Sequence, residues 1–108
     1  ICTLVFAMAK RKDLETYSAA RSYVVDNAGS IMGSWPSYTR YYMAQALFQA
    51  DHETWKLWNK ENTRFIVDHQ RDDGSIMIPG ASGGAPFSTG MALLSAALNY
   101  CFLPVYER

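Results

Sequence analysis

Cysteine is scarce in this chain. Only Cys2 and Cys101 occur among 108 residues, and neither belongs to a CxxC pair or stands near a histidine at metal-ligand spacing. No disulfide framework or zinc site follows from them, and two thiols acting as small buried hydrophobes are the ordinary expectation. A bridge between them would need the first and last helices to touch in an oxidising compartment. Charge of one sign is missing too: 10 Lys plus Arg balance 10 Asp plus Glu. No long-range field would draw in nucleic acid or an anionic membrane. The one basic cluster, Lys10-Arg11-Lys12, reads as a solvated helix end or loop.

Long apolar runs are also absent. Ile1 to Ala9 is apolar, but about nine residues fall short of the roughly 20 that span a bilayer. The run lacks the basic flank of a signal peptide, and no compartment is indicated. It reads as the tail of a helix that begins upstream, so the chain is expected to be a piece of a longer protein or a processed product. The glycine-rich loop Gly80 to Pro86 lacks the Gly-Lys-Ser/Thr of a P-loop. The helix start after it has free N–H groups that can meet an anion, although a flexible connector is its ordinary role. Ser82, His69 and Asp68 are neighbours in sequence without forming a recognisable triad. No cofactor is expected.

What the chain has is apolar mass with helical periodicity. Apolar residues make up 49% and aromatics 14%, enough for one core. Five helical segments follow from the spacing: Ile1 to Met8, Leu14 to Asp26, Ser37 to Gln49, Thr54 to His69, and Ser88 to Tyr100. Ser37 is the expected N-cap of the third, and Ser88 or Thr89 of the fifth. Ser75 to Ile78 has the character of a short extended stretch. The expected class is all-α, in antiparallel helical hairpins.

Two stretches look alike. Tyr23-Val24-Val25-Asp26 with Gly29-Ser30-Ile31-Met32 parallels Phe65-Ile66-Val67-Asp68 with Gly74-Ser75-Ile76-Met77. Pro36 and Thr39 then parallel Pro86 and Thr89. Repeats of this size suit stacked helical hairpins, each with a more polar helix, a glycine turn and a more apolar helix. Within the second copy, Phe65, Ile66, Gln70, Asp73 and Gly74 form a turn motif. Gly74 is placed to take the positive φ of the reversal, Asp73 suits a tight turn, and Gln70 can bond exposed carbonyls at the helix end.

This arrangement resembles the QW-type repeat of terpenoid cyclases and protein prenyltransferases, whose fold is an α/α toroid. Phe65 and Ile66 match the aromatic and aliphatic positions, and Gln70 and Gly74 match the Gln and Gly. Glu61 and Asn62 depart from the basic-plus-small start, and Ile76 stands where the repeat has Trp. The ending Leu103 to Arg108 looks like the C-terminal ends of bacterial proteins with squalene-cyclase-like repeats. The resemblance implies a single toroid domain, of which residues 1–108 supply about two and a half hairpins. The remainder of the toroid, or another chain, would complete it.

The resemblance also implies a hydrophobic cavity for an isoprenoid or other lipid. Its candidate lining is Trp35, Tyr38, Tyr41, Tyr42, Phe48, Phe87 and Tyr100, with Phe102 beside them. Such rings stabilise carbocations in cyclases, and in other settings simply pack. The chain lacks the DxDD and DDxxD motifs and the zinc ligands of these enzymes, so no catalytic or metal-binding residue is expected within it. Asp72-Asp73 reads as a solvated turn. The alternative is a non-catalytic toroid that binds or interacts. A polysaccharide-lyase-like cleft is a further possibility, and the Gly-Cys-Gly-Glu-Gln signature of thioester domains is absent.

Overall fold

A computed structural model describes residues 1–30 and 35–100. Its helices are α1 (Cys2–Met8), α2 (Glu15–Asp26), α3 (Pro36–Ala50), α4 (His52–Asp68) and α5 (Gly84–Ala96). A 3-10 turn, Ala97–Asn99, extends α5. No strand forms among the described residues. Gln70 and Ile76 make an isolated antiparallel bridge. The chain is thus all-α.

Residue pairs give the helix directions. Tyr38 meets Phe87 near the starts of α3 and α5, and Leu98 joins Leu47 and Phe48 near their ends, so these two helices run parallel. Ile1 and Thr3 share a cavity with Trp35 and Tyr38, while Lys12, just past α1, reaches the Gln49 carbonyl. α1 therefore runs parallel to α3 as well. α4 is antiparallel to both neighbours: Phe48 meets Trp55, Arg40 meets Asn62, and Asn59 meets Asn99. α2 opposes α3, since Arg21 reaches Ala50 while Val24, Val25 and Ala28 pack on the Met43 cluster. The result is a row of parallel helices, α1, α3 and α5, with α2 and α4 returning alongside.

α3 is the hub, packing against every other helix. Met43, Ala44, Leu47 and Phe48 form one core cluster with Trp55 and Leu98. Leu47 is fully buried, which stabilises the fold by about 1.5–3 kcal/mol relative to exposure. A second cluster joins Ile66, Ile76, Ile78 and Ala92.

The helix ends show where local chemistry acts. Asp51 caps α4, accepting the Thr54 N–H at 3.0 Å. Its other carboxylate oxygen takes the Arg21 guanidinium. Arg21 and Lys12 donate to the Ala50 and Gln49 carbonyls, so two cations sit at the negative end of the α3 dipole. α3 starts one residue before the sequence reading, with Pro36 at its first turn. Pro is suited to that position because its missing N–H would have no helical partner. Ser37 does not cap it; the side chain is buried and its Oγ has no hydrogen bond among the described residues.

α5 starts four residues earlier than the sequence suggests, at Gly84, with Gly83 at φ 102° before it. Ser88 and Thr89 therefore lie inside the helix, where their hydroxyls serve another purpose. Ser88 Oγ accepts the Ile78 N–H at 3.0 Å, and Thr89 Oγ1 accepts the Ile76 N–H at 2.9 Å. These two bonds hold the extended stretch against α5 while Ile76 and Ile78 fill the core.

The turn motif sets up that stretch. Gly74 has φ 85°, and the Gly74 N–H donates to the Arg71 carbonyl at 2.9 Å. Asp73 Oδ1 accepts both the N–H and the hydroxyl of Ser75. These bonds, the hydroxyl first, hold the Asp73 carboxyl below the ordinary range. Gln70 donates across the turn to the Gly74 carbonyl at 3.3 Å rather than to the end of α4. Ile76, at the repeat's Trp position, is 1% exposed. Ile31, its upstream counterpart, lies outside the described residues.

Candidate functional site

An apolar cavity of about 900 Å³ lies among α1, α2 and α3. Its walls include Thr3, Ala20, Val24, Tyr38, Tyr42 and Met43. Tyr23 and Trp35 also line it and are more than half exposed, which places them at its rim. Helix geometry explains the α3 wall. Residues three or four apart share a face, so Trp35, Tyr38, Tyr42 and Ala46 follow one stripe. Their rings are coupled: Trp35 and Tyr38 meet edge to face at 6.4 Å, and Tyr38 and Tyr42 lie nearly parallel at 6.3 Å.

The other aromatic candidates are placed elsewhere. Tyr41 touches Tyr42 at 4.9 Å but does not line the cavity. Phe48 lies about 240° round the helix from Tyr42 at about 100° per residue. It is 3% exposed and packs edge to face on Trp55 at 5.1 Å. Phe87 touches Tyr38 from α5 at 5.3 Å. Tyr100 is 70% exposed beyond the 3-10 turn. Phe102 and Cys101 lie outside the described residues, and Cys2, also in the cavity wall, is an exposed free thiol.

Among the described residues the cavity wall holds no carboxylate, imidazole, lysine or arginine side chain. These residues can bury apolar surface and offer hydroxyls and ring faces. Among the described residues no cluster of three or more His, Cys, Asp or Glu could hold a metal ion. No helix among them is long and apolar enough to cross a membrane.

A polar constellation escaped the sequence reading. Arg40 of α3, Asn62 of α4 and Ser95 of α5 form a relay through the core. Arg40 Nη1 donates to Asn62 Oδ1 at 3.0 Å, Asn62 Nδ2 donates to Ser95 Oγ at 3.0 Å, and Ser95 donates to the Ala92 carbonyl at 2.7 Å. Asn62 and Ser95 are fully buried. The Arg40 guanidinium also lies 3.4 Å from the Phe65 ring centre, and His69 stacks on the same ring at 3.9 Å. Two groups that close to one ring occupy its opposite faces. Phe65 is thereby clamped between α3 and the end of its own helix. Burial pulls the Arg40 guanidinium below its ordinary value, though arginine stays charged at neutral pH. Two signals were available: Arg40 is the single charge in α3, and Asn62 sits on the buried stripe of Trp55 and Ile66.

No family model, curated protein or solved structure matches this chain.

Proposed function

We propose that this chain is a squalene-cyclase- or prenyltransferase-like repeat segment whose cavity among α1, α2 and α3 holds an isoprenoid or other lipid. The observation that carries the reading is the cavity itself. About 900 Å³ of mainly apolar space, rimmed by Trp35 and Tyr23 and walled by Tyr38 and Tyr42, falls within the size range of small-molecule sites. The hairpin row and the Gly74 turn agree with the toroid repeat without identifying a ring. The reading rests on binding, since the described lining is apolar side chains, ring faces and hydroxyls. A non-catalytic α/α binding module is the second reading, which the same apolar cavity also serves.

Farnesol titration followed by Trp35 emission, with Trp55 and Trp58 replaced by Phe, tests the proposal. Saturable binding that Tyr38→Asp abolishes is the expected result. Tyr38 is 40% exposed, so the charge leaves the core cluster intact. Binding that is unsaturable, or unchanged in Tyr38→Asp, would remove the cavity as the site.

A further inference from the structure

A second cavity, of about 380 Å³, lies on the other side of the α2–α3 contact, between the end of α2 and the facing sides of α3 and α4. We propose that it is a binding site for a small organic carboxylate with an apolar body, anchored by Arg40. Three observations converge there. The Arg40 guanidinium is half-buried and, among the described residues, has no carboxylate partner. Its Nη1 is fixed on Asn62 and its face on Phe65, so the fork is already oriented. Nη2 makes no hydrogen bond among the described residues, whereas Nε is buried and screened from the cavity. A pre-oriented guanidinium with an unused Nη2 suits a charge-assisted hydrogen bond to a carboxylate oxygen.

The surrounding wall selects among anions. Met43, Trp58, Phe65 and Ala28 give an apolar side against which a ring or short chain can pack. Among the described residues the charged side chains at the cavity are Arg40, Arg64, Glu61 and Asp68, which sum to zero. Asp68 is already drawn to Arg64, 3.9 Å away, and Glu61 is exposed, with no ion pair among the described residues. A neutral site of this kind does not concentrate a multiply charged anion such as phosphate. It suits one negative charge on an otherwise apolar molecule. This site does not depend on the lipid reading of the larger cavity, and either can fail alone.

The test uses phenylacetate as probe, with inorganic phosphate beside it, in amide and arginine Nε–H NMR titrations. Phenylacetate should shift the Ala28, Gly29, Asn62 and Phe65 amides and the Arg40 Nε–H saturably. Arg40→Met should abolish those shifts. Arg40→Lys, which keeps the charge but loses the fork, should weaken binding by about tenfold or more. Should Arg40→Met fail to fold, Arg40→Lys and the wild-type map decide the matter. The proposal is overturned by no saturable shift up to about 10 mM probe, by shifts confined to the larger cavity, by wild-type affinity in Arg40→Lys, or by equal binding of phosphate at the same residues.

Discussion

Replacing Ser88 with Ala should destabilise this protein although alanine is the better helix former. Ser88 is fully buried in α5, and its hydroxyl accepts the Ile78 N–H at 3.0 Å. The neighbouring Ile78 side chain is 2% exposed, so water cannot easily replace that hydroxyl. Alanine leaves the N–H without an acceptor, at a cost of about 1–3 kcal/mol. It returns about 0.5 kcal/mol of helix propensity. The net loss is about 0.5–2.5 kcal/mol, read as a fall in thermal midpoint of about 4–8 °C per kcal/mol for a chain of this size. Urea unfolding followed by far-ultraviolet circular dichroism gives the free energy directly. Hydrogen exchange at the Ile78 amide locates it. Ser82→Ala is the control: that residue is exposed, and a change within about 0.5 kcal/mol is expected. A Ser88→Ala protein as stable as wild type, with unchanged Ile78 protection, would refute the clamp.

Gly74→Ala should cost about 1 kcal/mol through its φ of 85° alone, because a Cβ there meets no atom within 4 Å; an unchanged urea midpoint would contradict the turn geometry. Leu47→Ala, fully buried in the hub helix, should cost about 2–5 kcal/mol in the same assay, and a smaller loss would mean that the cluster around α3 collapses readily. The Asp51 carboxyl is held below its ordinary range by the Thr54 N–H and hydroxyl first, with Arg21 adding to it. A depressed folded pKa contributes stability above the unfolded value near about 3.9 and loses it as pH falls through the folded value. Asp51→Asn, which keeps an acceptor for the Thr54 N–H, should therefore be less stable than wild type at pH 7, with the gap closing below about pH 4; a gap that is constant with pH would contradict the assignment.

Local chemistry was legible in the sequence wherever it acted alone. The period of apolar residues located five helices, and the Asp73-Gly74 pair marked a turn that does take positive φ. The start of α5 was not legible, because Gly83, Gly84 and Pro86 together read as loop. Pro86 is tolerated in the first helical turn, where its missing N–H costs no bond. The hydroxyls of Ser88 and Thr89 consequently looked like caps, whereas they accept bonds from a stretch that only the tertiary fold brings beside them. The aromatic residues needed the helix phase as well as their number. Trp35, Tyr38 and Tyr42 share a stripe, while Phe48 points into the core. The Arg40–Asn62–Ser95 relay joins three helices across 22 and 33 positions of sequence separation, which no local pattern encodes.

The central claim is that the cavity among α1, α2 and α3 receives a hydrophobic molecule. Intermolecular nuclear Overhauser effects between farnesol and selectively labelled protein test it most directly. The account predicts contacts from farnesol methyls to Val24, Tyr42 and Met43, with none to Leu93 or Val67 on the exposed faces of α5 and α4. Contacts spread evenly over those exposed apolar side chains, or no contacts at saturating ligand, would contradict it.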